Sequence, residues 1–127
     1  MNRAAVGVGS NIDPERHVAE ARRRIAERHR LVAESGFVKT EPIGYADQAD
    51  FLNGVFLVET EMTLADFEAW LHGLEEDLGR VRTENRHGPR TIDLDVVAWN
   101  DRVIDLDVFE RDFLRMQLSE VLPHLTL

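Results

Sequence analysis

Two aspartates two positions apart, Asp93 and Asp95, close an arginine-rich stretch that contains Arg80, Arg82, Arg86 and Arg90. Ile92, Leu94 and Val96 alternate with the aspartates, and Val97, Ala98 and Trp99 continue a β pattern. On a strand, residues two apart share a face. Asp93 and Asp95 are therefore expected side by side, with the apolar set on the opposite face. Neighbouring carboxylates resist double ionisation unless a cation sits between them. A hard divalent ion such as Mg²⁺ meets that need, taking one or two carboxylates and completing its shell with substrate phosphates.

The arginines supply the complementary charge. They face a single Glu84 within a chain of net charge −9, so the stretch is a local cationic patch on an acidic molecule. Guanidinium groups match phosphate oxygens in geometry as well as charge. Taken singly, an Asp-x-Asp pair is an ordinary exposed strand face and an arginine run an ordinary solvated loop. Their conjunction across Gly88-Pro89 points to bound polyphosphate with metal.

The elements that must hold this stretch follow from periodicity. Ala4 to Asn11 reads as a short strand of small residues ending in a tight loop. Asp13-Pro14 predicts a helix start, with Asp13 as cap, and the helix runs to about Arg28 on an apolar face of Val18, Ala21 and Ile25. Gly7-x-Gly9-Ser10 lacks the remaining residues of a dinucleotide fingerprint or a P-loop, so close backbone packing is the expected reason for these glycines. Leu31 to Lys39 reads as one strand with a bulge at Gly36, and residues 40–50 as a loop. Phe51 to Glu61 carries the strongest strand pattern. Thr63 is expected to cap a helix that continues to about Leu78 and ends at Gly79. Asn100-Asp101 marks a turn before Val103-Ile104, and residues 111–127 read as one or two short helical turns. The order β-α-β-β-α-β predicts a ferredoxin-like α+β sandwich, an antiparallel sheet with helices packed on one face.

Composition narrows the chemistry. A chain of 127 residues with 43 % hydrophobic content is expected to form one domain, residues 1–127. The absence of cysteine excludes disulfides, thiolate metal sites and a cysteine nucleophile, and the five histidines lack metal-ligand spacing. Net acidity argues against a nucleic-acid partner. No stretch has the length and apolarity of a membrane span or signal peptide, which makes the expected location cytoplasmic. Lys39 is the only lysine beside fourteen arginines, a bias read here as genomic rather than functional.

Gly88-Pro89-Arg90-Thr91-Ile92-Asp93-Leu94-Asp95-Val96 is very similar to the signature of the hydroxymethyl-dihydropterin pyrophosphokinases of folate biosynthesis. Val8-Gly9-Ser10-Asn11 resembles that family's opening strand and loop. Thr40-x-Pro42-x-Gly44 and Asp47-Gln48-x-x-Phe51-Leu52-Asn53 resemble its pterin-side loop and strand, and Glu75 with Gly79-Arg80-Val81-Arg82 the end of its second helix. The resemblance implies transfer of pyrophosphate from ATP, as co-substrate, to the pterin hydroxymethyl group, with AMP leaving. It implies that Asp93 and Asp95 hold two Mg²⁺ ions and that Arg80, Arg82 and Arg90 serve catalysis at the phosphates. His72, Glu75, His87 and Arg111 would contact ATP. Thr40, Ile43, Phe51, Asn53 and Phe113 would bind the pterin, Asn53 through its amide and the two phenylalanines by enclosing the ring.

Two departures bear on the nucleotide. His87 stands where the family often carries an aromatic residue, usually Trp. The chain passes from Val103-Ile104-Asp105-Leu106-Asp107 almost directly to Arg111-Asp112-Phe113-Leu114, without the Pro-His-aromatic segment that contacts nucleotide in the family; the family pattern also continues past Leu122-Pro123-His124-Leu125. Weakened ATP binding beside intact pterin binding is the expected result. The competing readings are a nucleotidyltransferase, rejected because Gly9-Ser10 and Asp93 lie too far apart in sequence, and a catalytically impaired paralogue that binds pterin or nucleotide without efficient transfer.

Overall fold

The computed structural model describes residues 1–41, 49–79 and 91–127. Asn2–Ser10 forms β1, Pro14–Arg28 α1, Arg30–Glu34 β2, Val38–Thr40 β3, Phe51–Thr60 β4 and Leu64–Asp77 α2. Asp93–Trp99 forms β5, Arg102–Val103 β6, Asp107–Glu110 α3 and Asp112–Val121 α4. The strands make one sheet in the order β2-β4-β1-β5-β6, with β3 also paired to β4 and every pairing antiparallel. Helix α1 links β1 to β2, and α2 links β4 to β5. The two units therefore interleave as a ferredoxin-like α+β sandwich, with β1 at the centre.

Alternation along the central strands sorts the core. Ala4, Val6 and Val8 of β1, Phe56 and Val58 of β4 and Leu94 and Val96 of β5 pack against Val18, Ala21 and Ile25 of α1 and Phe67, Leu71 and Leu74 of α2. The other face is also covered. Ala5, Val55, Leu57, Val97 and Ala98 pack under Leu114, Leu118 and Val121 of α4, with Val108 of α3. The one-faced sandwich read from the sequence is thus corrected to three layers. Residues 111–127 contain a ten-residue helix rather than isolated turns, because Leu114, Leu118 and Val121 recur on one side and bury there.

Four local expectations also change or sharpen. Asp13 precedes Pro14 at the start of α1 but does not cap it; it lies in the left-handed region at φ 46, and its Oδ2 accepts from Arg16 Nε at 2.6 Å. The strand expected over Leu31–Lys39 is two strands, because Ser35-Gly36-Phe37 interrupts it. At the break the Val55 N–H donates to Ser35 Oγ at 2.8 Å, and the Phe37 ring lies over Gly54. Thr63 does cap α2, accepting from the Asp66 N–H at 3.2 Å, and Gly79 at φ 92 ends it. Asn100 and Asp101, at φ 49 and 66, make the tight turn between β5 and β6. Among the described residues, no helix is long and apolar enough to cross a membrane.

Candidate active site

The face of the sheet under the start of α4 is where side chains run out. Gly7 and Gly9 of β1 point no side chain towards it, and a cavity of about 320 Å³ opens there. A Cβ at Gly7 would stand 3.3 Å from Val97 Cγ1, and one at Gly9 3.0 Å from Asn53 Oδ1. The close packing expected of Gly7-x-Gly9 is what the structure shows. Bare backbone of the central strand is the floor of the cavity.

The walls come from four other elements. Phe51 and Asn53 rise from β4, Thr40 from β3, Phe113 from α4, and Asp93 and Asp95 from β5. Asp93 and Asp95 do share a face, as their spacing requires, while Ile92, Leu94 and Val96 are buried on the opposite side. The Asn53 Nδ2 donates to Thr40 Oγ1, so the amide is already held before any ligand arrives. Phe51 and Phe113 are both half-buried and both line this cavity. Arg111 lines it too, paired with Asp107 at 3.4 Å.

A second cavity, of about 440 Å³, adjoins the first. Its walls are mixed: Leu71, Leu94, Val96, Ile104 and Leu106 stand beside Glu68, His72, Asp95 and Asp105. Asp95 and Asp105 line both cavities. Asp105 was not singled out in the sequence, because its neighbours give no strand alternation. It begins the turn into α3, where its Oδ1 accepts from the Asp107 N–H at 2.9 Å. Gln117, which also lines the first cavity, was likewise missed: it lies on α4, where only short turns were expected.

Glu75 sits elsewhere. It is buried between α2 and β5, 1 % exposed, and its Oε2 accepts from the Leu94 N–H at 2.7 Å. Strand β6 covers only Ala98 and Trp99 of β5, so at Leu94 a helix side chain accepts the bond that a further strand would take. Glu75 is not among the described residues lining either cavity. Arg80, Arg82, His87, Arg90 and Ile43 fall outside the described residues.

Ser10 and Asn11 anchor the surroundings. The Ser10 hydroxyl donates to Thr91 O at 2.5 Å, at the entry to β5, and Asn11 Nδ2 donates to Ala49 O at 3.1 Å, at the entry to β4. Both strands that carry site residues are thereby tied to the end of β1.

The donor set at Asp93 and Asp95 is of hard oxygens, which suits Mg²⁺. Among the described residues, no group of three or more His, Cys, Asp and Glu stands ready as a metal cage.

Comparison with known proteins gives a consistent picture. The family model for 7,8-dihydro-6-hydroxymethylpterin-pyrophosphokinase matches residues 5–124. The 2-amino-4-hydroxy-6-hydroxymethyldihydropteridine pyrophosphokinase of Methylorubrum extorquens is 37 % identical over 138 positions, covering 100 % of this chain and 87 % of the relative. The protein of the same name from Pseudomonas aeruginosa is 34 % identical over 138 positions, covering 100 % of this chain and 85 % of the relative. The folic acid synthesis protein fol1 of Schizosaccharomyces pombe is 36 % identical over 104 positions, 76 % of this chain but 14 % of that larger protein. Alignments of 138 positions exceed the 127 residues present, so the two bacterial relatives carry internal positions that this chain lacks. The family match takes in both cavities and the strand between them, and the chain belongs to the 7,8-dihydro-6-hydroxymethylpterin-pyrophosphokinase family.

Proposed function

We infer how the chain divides its residues in the family's reaction. Pyrophosphate passes from ATP to the hydroxymethyl group of 6-hydroxymethyl-dihydropterin, AMP leaves, and the product enters folate biosynthesis. The observation that carries the assignment is the position of Asp95, which lines both cavities at their junction. A transfer between two bound substrates needs such a junction, because the reacting atoms must be held in contact while each substrate keeps its own slot.

The first cavity suits the pterin. A flat heteroaromatic ring presents donors and acceptors on its edge and apolar surface on its faces. Asn53 offers both a donor and an acceptor, Thr40 a hydroxyl, and Phe51 and Phe113 the apolar walls. The second cavity is assigned to the nucleotide, with His72 and Glu68 as polar groups beside the aliphatic Leu71, Ile104 and Leu106. The triphosphate then lies across Asp95 and Asp93.

Two carboxylates repel a triphosphate unless a cation intervenes. Mg²⁺ held by Asp93 and Asp95, as two ions, supplies charge neutralisation and alignment of the triphosphate when bound. Arg111 gives up Asp107 for a phosphate, exchanging one oxyanion partner for a more highly charged one. By the family resemblance Arg80, Arg82 and Arg90 are assigned to the phosphates, His87 to the nucleotide and Ile43 to the pterin. Glu75 serves the nucleotide side through β5, whose Leu94 it holds between the two aspartates.

The test is direct. The protein is incubated with ATP, Mg²⁺ and 6-hydroxymethyl-dihydropterin, and the nucleotide product is identified. AMP is expected; ADP would mean ordinary phosphoryl transfer, and no turnover with retained pterin binding would mean a binding paralogue. Calorimetry with a non-hydrolysable ATP analogue accompanies it. The shortened segment before Arg111 predicts ATP affinity lower by roughly ten- to a thousand-fold than in a relative that has the segment, the equivalent of one or two hydrogen bonds to charged groups.

A further inference from the structure

We propose that Gln117 is a positioning residue for the pterin slot, fixing the main chain of Asn53 and through it the amide that reads the ring. The proposal rests on the assignment of the first cavity to the pterin.

Gln117 is out of place by the logic of its own helix. Leu114, Leu118 and Val121 make α4 an apolar face, and Gln117 is buried with them at 3 % exposure. A buried carboxamide needs partners for both ends. Its Nε2 donates to the carbonyl of Asn53 at 2.9 Å and to that of Gly36 at 3.4 Å. Two backbone carbonyls on one side settle which end of the amide is nitrogen. Its Oε1 is sealed from solvent and has no hydrogen-bond partner among the described residues. Leu or Met would fill the space without burying a carboxamide, but would deprive the Asn53 carbonyl of this donor.

Its surroundings give a reason. Gln117 lies four residues after Phe113, hence on the same face of α4, and both line the cavity. Asn53 is held from two elements, its Nδ2 by Thr40 on β3 and its carbonyl by Gln117 on α4, while the missing side chain of Gly9 on β1 leaves room for its Oδ1. The break between β2 and β3 lies alongside. There Ser35 bonds Val55 in both directions, Glu120 of α4 accepts from the Gly36 N–H at 3.3 Å, and Gln117 completes the patch at Asn53. Helix α4 thus carries one wall of the slot, Phe113, and fastens the main chain of another, Asn53.

Gln117→Met removes the donors and nearly keeps the volume. Titration with 6-hydroxymethylpterin as probe is expected to show Kd raised about ten-fold, the equivalent of one hydrogen bond. Affinity for a non-hydrolysable ATP analogue should hold, as should kcat at saturating substrate. The discriminating readout is a double-mutant cycle: in an Asn53→Ala background, Gln117→Met should add less than about two-fold, because the group it positions is gone. An unchanged Kd, or effects that multiply independently, overturns the proposal. If Asn53→Ala itself leaves pterin binding intact, the cavity assignment fails first and the proposal with it. Should the Met variant not fold, Gln117→Glu serves. Its carboxyl donates only when protonated, so pterin affinity should rise as pH falls, where the wild type is flat; a flat profile in the variant overturns the proposal.

Discussion

Glu75 offers the sharpest test of how the aspartate strand is held. It is buried, and its carboxylate accepts from the N–H of Leu94, the residue between Asp93 and Asp95. In Glu75→Ala the Leu94 N–H is left without that acceptor, a cost of about 1–3 kcal/mol. Emptying the buried volume adds about 2 kcal/mol. The sum, about 3–5 kcal/mol, is a large part of the roughly 5–15 kcal/mol that holds a domain of this size folded. A fall in Tm of about 10–20 °C follows, at roughly 4 °C per kcal/mol. Glu75→Gln keeps an acceptor oxygen and should lose about 1 kcal/mol, a few degrees. Thermal unfolding by circular dichroism, with no ligand present, measures both. At temperatures where Glu75→Ala is still folded, turnover should also fall, since the strand between the aspartates has lost its tether. A Glu75→Ala variant that melts like the wild type but needs far more ATP for half-maximal rate would refute the reasoning. It would place the carboxylate on the nucleotide instead of the strand.

Three further outcomes are expected. Asp93→Asn and Asp95→Asn should each abolish transfer while sparing the fold, because Asn keeps the volume but loses the charge that would hold Mg²⁺; near-native turnover at saturating Mg²⁺ would contradict this. Gly9→Ala should weaken pterin binding by roughly 1 kcal/mol with little change in Tm, since its Cβ would stand 3.0 Å from Asn53 Oδ1 and the amide must shift; calorimetry with 6-hydroxymethylpterin reads it. His29 should give the fold a pH dependence. Burial against Phe67 and Trp70, and then the charge of Arg28, hold its pKa below the ordinary histidine value. Its contribution is therefore complete above about pH 6.5, the unfolded value, and is lost as pH falls towards the depressed folded one. Tm against pH should be flatter below 6.5 in His29→Phe than in the wild type; parallel curves would exclude His29 as the source.

What the sequence disclosed depended on how local the signal was. The alternation of Asp93 and Asp95 with Ile92, Leu94 and Val96 needs only the period of a strand, and the two faces came out as the period demands. Thr63 and Gly79 bound α2 by chemistry confined to a few residues. The break at Ser35–Phe37 was invisible because its cause is remote: Gln117 and Glu120, more than eighty residues later, take bonds that an unbroken strand would make. For the same reason α4 was read as loose turns. Its polar Gln117 interrupts an apolar stripe, and only the sheet it covers shows why. Glu75 was read as a nucleotide contact on the strength of resemblance; its hydrogen bond to Leu94 crosses from helix to strand and leaves no trace in spacing. Asp13 looked like a cap by residue type, but its left-handed backbone turns the side chain to Arg16.

The floor of the first cavity has one more consequence. Gly7 and Gly9 belong to β1, which is paired along both edges, to β4 and to β5. A hollow in most proteins is lined by the parts that open most readily. Here its base is the strand whose amides can exchange with solvent only when the sheet itself comes apart, whereas part of its rim, Thr40 of the short β3 and Phe113 at the start of α4, belongs to elements that open more readily. Hydrogen exchange should therefore run in inverse order to exposure across a few ångströms, slow at the bare base and fast at the side chains above it. Ligand binding would slow the rim and leave the base untouched. Changes of specificity in such an architecture are confined to the rim, because any side chain added to the base must displace either Val97 or Asn53.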